Sequence, residues 1–147
     1  MTFHKLLIAN RGEIACRIIK SAHEMGISCV AVYTNADSES PFVRQADEAI
    51  KLSDTYLNGK EIIEAAKQTG AQAIHPGYGF LSENAKFSRD VLKAGLIWVG
   101  PSSKVITSMG DKLKAKDIAE KAGVPTLPMT TDPKKANTIG YPILIKA

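Results

Sequence analysis

The sequence predicts an α/β protein in which residues 1–103 form a Rossmann-like, doubly wound parallel sheet. Two observations lead to this fold class. Short apolar runs of strand length recur along the chain, and segments with apolar residues at helical spacing separate them. Strands connected through helices form right-handed βαβ units, which build parallel sheets. The strands are predicted over residues 5–9, 29–33, 49–52, 73–74 and 96–100.

Each predicted helix has an apolar face. In the first, Ile14, Ile18, Ala22 and Met25 repeat at helical spacing, and Gly26 ends it. Two later segments show the same pattern, the second of them amphipathic and expected to begin near Ser82. These two helices are predicted over residues 61–68 and 85–94.

Beyond Gly100 the sequence predicts linker helices and the first strand of a second domain, within residues 104–147. Three prolines between residues 125 and 133 are typical of a linker lying over a surface. The last strand has no following element to complete its sheet, so we expect one whole domain and the opening of another. The helices are predicted over residues 102–108, 111–122 and 132–139, and the strand over residues 141–147.

Composition excludes several classes of protein. Hydrophobic residues make up 44% of the chain and charged residues 23%, which is typical of a soluble globular protein. No apolar run approaches the roughly 20 residues that cross a bilayer, and the N-terminus has no signal-peptide pattern. Cys16 and Cys29 lie in apolar surroundings, so we expect reduced, buried thiols in a cytoplasmic protein.

The net charge of +4 is concentrated at one end of the chain. Residues 1–103 hold eleven basic and eleven acidic side chains, whereas residues 104–147 hold eight lysines and four acids. A nucleic-acid surface would more often mix in arginine and aromatic residues, and this segment has neither arginine nor any aromatic residue besides Tyr141. We therefore expect no nucleic-acid partner. A phosphate site and a solvated basic helix face both remain open.

The loop at residues 75–84 holds a proline, two glycines and several polar side chains between a predicted strand and a predicted helix. Gly77 and Gly79 permit positive φ angles or the close approach of another group. Open α/β sheets bind ligands at the carboxyl ends of their strands. The loop is therefore a candidate ligand site, and the alternative is a stiff turn capped by Ser82.

The turn after the first strand argues against a dinucleotide. A pyrophosphate site would need a G-x-G-x-x-G pattern here, but the turn has only Gly12, with Arg11 and Glu13 beside it. Asp37 lies where a ribose-binding acid could sit, and without the glycines we interpret it as a turn residue. A Rossmann-like oxidoreductase is thus disfavoured.

Six segments occur in order along the whole chain and together closely resemble the start of the biotin carboxylase component of biotin-dependent carboxylases. This group includes acetyl-CoA, propionyl-CoA, methylcrotonyl-CoA and pyruvate carboxylases. The segments are residues 9–15, 75–84, 98–101, 109–112, 122–125 and 141–147.

The resemblance implies a ligase with an ATP-grasp domain. ATP and bicarbonate would give carboxyphosphate and ADP, and the carboxyl group would pass to biotin on a carrier domain, in cooperation with a carboxyltransferase. Mg²⁺, or Mn²⁺ in its place, would bridge the phosphates. The metal ligands and catalytic residues would lie beyond Ala147, so we expect the chain alone to be inactive.

The resemblance also implies roles for particular residues. Lys112 and Lys146 would contact ATP, and Tyr78 and Gly79 would line the biotin side of the cleft. From the residues alone, a solvated helix lysine is the favoured interpretation of Lys112, whereas Lys146 ends an apolar run and needs a partner for its charge. The first helix takes part in the homodimer contact of some members. On that helix, the matching positions are Arg17, Lys20 and Glu24, with Lys20 where an arginine is expected.

A second class of function stays open. The chain could be a non-catalytic module that uses the Rossmann-like domain for dimerisation or docking, with the charges of the first helix and Tyr78 as protein contacts. The histidines are given no catalytic role. We expect His23 to be a helix-surface residue and His75 to shape its loop by hydrogen bonding.

Overall fold

A computed structural model describes residues 3–145 and shows five parallel strands in the order β3-β2-β1-β4-β5. The Rossmann-like α/β fold class is therefore confirmed. The strands are β1 (Lys5–Ile8), β2 (Ser28–Tyr33), β3 (Glu48–Lys51), β4 (Ala73–His75) and β5 (Ile97–Trp98).

Helices follow the strands as the spacing of apolar residues predicts, and one short helix was missed. That helix, α2, begins at Pro41 directly after Ser40, a pattern typical of a helix start. Short 3₁₀ turns cover Asn35–Asp37 and Pro133–Thr138. The α-helices are α1 (Gly12–Glu24), α2 (Pro41–Gln45), α3 (Gly59–Gln68), α4 (Ala85–Lys93), α5 (Ser103–Gly110) and α6 (Lys112–Lys121).

The sheet is covered on both faces because its side chains alternate. Leu6 and Ile8 of β1 pack in one cluster with the apolar residues of α1 and with Phe42 of α2. Leu7 of the same strand packs in a second cluster, which includes residues from α3, α4 and α5. A central strand with both faces buried is typical of doubly wound folds. The clusters position the loops that follow β1 and β4.

Two sequence-based expectations are wrong. Helix α4 begins at Ala85, as in the predicted range 85–94 and not near Ser82, because the Asn84 side chain accepts a hydrogen bond from the Phe87 amide at 3.0 Å; Ser82 is not the cap. Residues 141–145 form no strand. The described part of the second unit contains no other strand with which they could pair.

The chain divides into two compact units, one ending at Gly110 and the other beginning at Asp111. Helix α5 belongs to the first unit because Ile106 is buried in the core that α4 also lines. The second unit contains α6 and the 3₁₀ turn after it. The domain boundary expected between residues 103 and 104 stays a prediction.

Candidate functional site at the β1–β4 seam

The candidate site lies where the chain leaves β1 and β4. These strands are neighbours, with Ile8 opposite His75, and the Ala9 amide donates to the His75 carbonyl at 2.9 Å. From β1 the chain crosses to β2 on one side of the sheet, and from β4 it crosses to β5 on the other side. This is the topological switch point, where open α/β sheets bind ligands.

Asn10 fills the seam between the two strands. Its side chain is buried, and its amide nitrogen donates to the carbonyls of Pro76 and Tyr78, both at 2.7 Å. Its amide oxygen accepts from the Arg11 amide at 2.9 Å. One side chain thus satisfies three backbone groups of two loops that are distant in sequence. It holds the loop at residues 75–84 on the buried side of that loop.

The loop takes a path that only glycine permits at position 77. Gly77 has a φ of +65°, and a Cβ there would lie 2.6 Å from the Asn10 amide nitrogen. The Gly77 amide donates to Nδ1 of His75 at 3.0 Å. Burial lowers the pKa of His75, which favours the neutral ring that can accept this bond. The sequence-based expectation that His75 shapes its loop agrees with this contact.

Tyr78 stands on the solvent side of the loop. Its ring is 59% exposed, and its hydroxyl donates to the Glu13 carboxylate at the start of α1. That hydrogen bond raises the pKa of Tyr78, so the phenol stays neutral at physiological pH. Gly79 follows with a φ of +63° and open space beside its Cα. The two residues therefore offer a neutral phenol and accessible backbone.

Phe80 continues the exposed surface. It has a φ of +44°, the only positive value for a non-glycine residue within residues 3–145, and this region is unfavourable for a bulky side chain. Its ring packs against Tyr56 with a centroid distance of 5.5 Å. The Ser82 amide donates to the Gly79 carbonyl at 2.9 Å and closes the turn. The loop holds Phe80 in a conformation that the residue alone would avoid.

A buried carboxylate links the β1 turn to this aromatic pair. Asp37 accepts from Nε of Arg11 at 2.6 Å, from a terminal nitrogen of Arg11 at 2.5 Å and from the Tyr56 hydroxyl at 2.7 Å. The Arg11 hydrogen bonds lower the pKa of Asp37 and raise that of Arg11. Burial, followed by the Asp37 hydrogen bond, raises the pKa of Tyr56 to about 12.

Asp37 lies in a 3₁₀ turn, as the sequence predicts, and this network adds contacts that the sequence did not indicate. Its 3₁₀ turn presents the carboxylate to Arg11 and Tyr56, and both oxygens are engaged. A ribose hydroxyl would have to compete with a guanidinium and a phenol. The signal in the sequence was an acidic residue after one buried strand and an arginine after another.

The predicted site residues lie in different units. Tyr78 and Gly79 are in the loop of the first unit, and Lys112 opens α6 in the second; Lys146 lies outside the described residues. At the start of α6 the Asp111 carboxylate accepts from the amides of Leu113 and Lys114, at 2.9 and 3.0 Å. Asp111 thus already engages two of the amides that could favour an anion there.

The sequence did not single out Asn10 or Tyr56, although the structure places both at the site. Asn10 directly follows the buried apolar run at residues 6–9, where a polar side chain must find partners in the seam. Tyr56 lies in an irregular segment with no periodic pattern. Its position depends on packing between distant parts of the chain.

A family model and individual relatives of this chain agree on one protein family. Residues 2–106 match the family described as biotin carboxylase, N-terminal domain. The chain is 48% identical to the propionyl-CoA carboxylase alpha chain of Ruegeria pomeroyi, over 99% of this chain and 23% of the relative. It is 46% identical to the 2-oxoglutarate carboxylase small subunit of Hydrogenobacter thermophilus, over 99% of this chain and 33% of the relative.

A solved structure gives the same result. The dimer of the biotin carboxylase domain of the Hydrogenobacter thermophilus 2-oxoglutarate carboxylase, in complex with ADP, magnesium and bicarbonate, has a TM-score of 0.86 and 45% identity to this chain. The match covers 97% of this chain and 34% of that one. The chain therefore spans about a third or less of the proteins that it resembles.

Replacing Asn10 with alanine should destabilise the first unit. The carbonyls of Pro76 and Tyr78 would lose their donor, and an unsatisfied buried polar group costs about 1–3 kcal/mol, so we expect a loss of about 2–4 kcal/mol. Urea unfolding followed by the fluorescence of Trp98, the only tryptophan, measures it. The matched control is Asn35→Ala at an exposed position, expected to stay within about 0.5 kcal/mol. Equal losses of unfolding free energy in Asn10→Ala and Asn35→Ala would contradict the role of Asn10 in holding the loop.

The Asp37 network should make stability depend on acid pH. Because the folded-state pKa of Asp37 is lowered, its contribution is fully present above the unfolded pKa of about 4 and is lost as pH falls through the folded value. The difference in unfolding free energy between the natural chain and Asp37→Asn should be largest near neutral pH and shrink towards pH of about 3. Glu39→Gln, at an exposed carboxylate, is the control. A difference for Asp37→Asn that stays constant with pH would refute the coupling.

Proposed function

The chain belongs to the biotin carboxylase N-terminal domain family, and from that premise we propose that it is the opening portion of an ATP-dependent biotin carboxylase. In the proposed reaction, a bicarbonate oxygen attacks the γ-phosphorus of ATP, and ADP leaves. The carboxyphosphate so formed then gives its carboxyl group to N1′ of biotin and releases phosphate. The biotin is carried on a partner domain, and a carboxyltransferase passes the carboxyl group to an acyl-CoA or a keto acid.

One observation carries this proposal. The loop that contains Tyr78 and Gly79 lies at the switch point of the sheet, held from below by Asn10 and exposed above. A biotin ureido ring is neutral and has hydrogen-bond donors and acceptors. A neutral phenol and accessible backbone suit such a group better than they suit a phosphate. We assign the biotin side of the cleft to this loop.

Lys112 is the residue of the second unit that we assign to the nucleotide. Its ammonium has no carboxylate partner among the ion pairs within residues 3–145, so it is available for a phosphate. Lys146 is proposed to contact the α-phosphate or the adenine side, by resemblance alone.

The described residues do not fit the proposed Mg²⁺ or Mn²⁺. Within residues 3–145, the single cluster of potential metal ligands is His23, Cys29 and Asp47, whose sulfur and nitrogen donors do not suit Mg²⁺. We therefore place the ligands of that ion in a part of the protein beyond this chain.

The cytoplasm is the location we propose, because both cysteines are free thiols, and thiols stay reduced there. In the described range, none of the helices combines the length and the apolar character that crossing a bilayer requires.

We propose that α1 supplies a homodimer contact. Arg17, Lys20 and Glu24 are exposed on one side of this helix, beside a surface cavity of about 580 Å³ that is also lined by Gln45. Mixed charges around a concave, partly apolar surface suit a self-complementary contact. The Hydrogenobacter thermophilus biotin carboxylase domain was solved as a dimer, which supports the oligomeric state but not this particular helix.

The carboxylase proposal is tested by sequencing the native transcript past the codon for Ala147 and assaying both proteins. We expect the transcript to continue and the longer protein to release ADP in a bicarbonate-dependent manner, while the 147-residue chain does not, because it lacks the groups that neutralise transferred phosphate. In the longer protein, Tyr78→Phe should raise the KM for biotin alone and Lys112→Gln the KM for ATP alone.

A stop codon directly after Ala147 would overturn the carboxylase proposal and favour the dimerisation or docking module. Bicarbonate-dependent ADP release by the 147-residue chain would contradict its expected inactivity. Equal effects of Tyr78→Phe on both KM values would reject the assignment of this loop to biotin.

Reversing the charges on α1 should weaken self-association. We expect Arg17→Glu combined with Lys20→Glu to raise the dimer dissociation constant about tenfold, or about 1.4 kcal/mol, by sedimentation equilibrium. Lys93→Glu on the exposed side of α4 is the control and should leave it unchanged. If the natural chain is a monomer at every concentration, α1 is excluded as the contact. The same holds if the dissociation constant shifts equally in the double variant and in Lys93→Glu.

A further inference from the structure

Three potential metal ligands lie close together at the amino-terminal ends of the strands, whereas the candidate site lies at their carboxyl ends. His23 is in the last turn of α1, Cys29 is near the start of β2, and Asp47 directly precedes β3. One donor atom from each lies within 4.8 Å of the other two. Their spacing in sequence matches no common zinc motif, so the sequence did not reveal the cluster.

The backbone fixes two of the three ligands relative to each other. The Asp47 amide donates to the Cys29 carbonyl at 3.0 Å, and the Cys29 amide donates to the Asp47 carboxylate at 2.7 Å. Nε2 of His23 lies 2.9 Å from the same carboxylate oxygen. The carboxylate is therefore held between a strand backbone and an imidazole, and its second oxygen is left for another partner.

The cluster reaches solvent through His23 and Asp47. Cys29 is fully buried, whereas the side chains of His23 and Asp47 are 41% and 48% exposed. A surface cavity of about 210 Å³ opens beside the last two and is also lined by Gly26, Ile27 and Ser28. An ion could enter through this cavity and keep one water molecule as a fourth ligand.

We propose that His23, Cys29 and Asp47 form a binding site for Zn²⁺ or a similar borderline divalent ion. Thiolate, imidazole and carboxylate are the three ligand types that Zn²⁺ takes in proteins. Mg²⁺ and Ca²⁺ require oxygen ligands, so this set selects against them. The inference is independent of the carboxylase proposal.

Binding would rearrange the three side chains and release protons. Tetrahedral Zn²⁺ places its ligand atoms about 3.3–3.6 Å apart, so the sulfur must approach while the His23–Asp47 pair opens slightly. The Cys29 thiol proton leaves to solvent. The proton between His23 and Asp47 leaves as well, or moves to Nδ1 of the ring, so that Nε2 can donate its lone pair.

A bound ion would stabilise the junction of α1, β2 and β3 without reaching the loop at the other edge. An exposed His–Asp pair by itself contributes little to stability. Such a pair does not require the Cys29 sulfur beside it, whereas a metal site uses the sulfur as a ligand. An ion that binds the folded chain and not the unfolded one raises the unfolding temperature by mass action.

Titration of the 147-residue chain with Co²⁺ tests the proposal, because cobalt–thiolate bonds give an intense near-ultraviolet charge-transfer band. We expect one equivalent of Co²⁺ to bind with this band, Zn²⁺ to displace it, and Zn²⁺ to raise the unfolding temperature. Cys29→Ser should abolish the band. The matched control is Cys16→Ser, at the other cysteine, which should keep it.

Two further variants keep the test decisive if Cys29→Ser does not fold. His23→Gln and Asp47→Asn change half-exposed side chains and should weaken Co²⁺ binding at least about tenfold, the lower end of what losing even an outer-shell partner costs. The proposal is overturned if the natural chain shows no charge-transfer band with excess Co²⁺, if the band persists in Cys29→Ser, or if it disappears in Cys16→Ser.

Discussion

The buried amide of Asn10 is the interaction on which the candidate site depends. Strands β1 and β4 lie side by side, yet the chain leaves them towards opposite sides of the sheet, which opens a seam lined with backbone carbonyls. Those carbonyls need donors, and water has little access to a position where Asn10 is only 2% exposed. An amide supplies two donors and one acceptor from a single short side chain. The same side chain excludes a Cβ at position 77, so the glycine and the asparagine require each other.

The loop at residues 75–84 is consequently fixed on its buried side and accessible on its solvent side. Its inner carbonyls are engaged by Asn10, while Tyr78 and Phe80 present exposed rings that rest on Glu13 and Tyr56. Tyr56 in turn donates to Asp37, which is paired with Arg11 from the β1 turn. Ordered side chains at a binding surface lose less conformational entropy when a ligand arrives. This arrangement suits recognition of a flat, neutral group better than it suits a lid that closes over a ligand.

The sequence allows most of the first unit to be predicted, because its signals are periodic. The continuous apolar run on β1, buried on both faces, and the helical spacing of apolar residues on α1 are both visible in the sequence, and chance rarely produces such patterns. The failures fall where distant contacts decide the structure. Residues 141–145 have strand composition, but a strand exists only when another strand pairs with it. Asp37 does lie in a turn, but its hydrogen bonds with Arg11 and Tyr56 join distant parts of the chain, and no local sequence pattern predicts them.

Charge divides the chain in the way that the proposed chemistry requires. The first hundred or so residues are electrically balanced, and the lysine excess lies in residues 104–147. Phosphate groups are bound by cationic side chains, whereas a ureido ring is bound by neutral hydrogen-bond donors and acceptors. A loop rich in unpaired cations at the β1–β4 seam would attract phosphate; the guanidinium of Arg11, which follows β1, is instead paired with Asp37. The ion pair between the half-exposed Arg11 and the buried Asp37 therefore offsets the positive charge beside the loop, which favours a neutral ligand there.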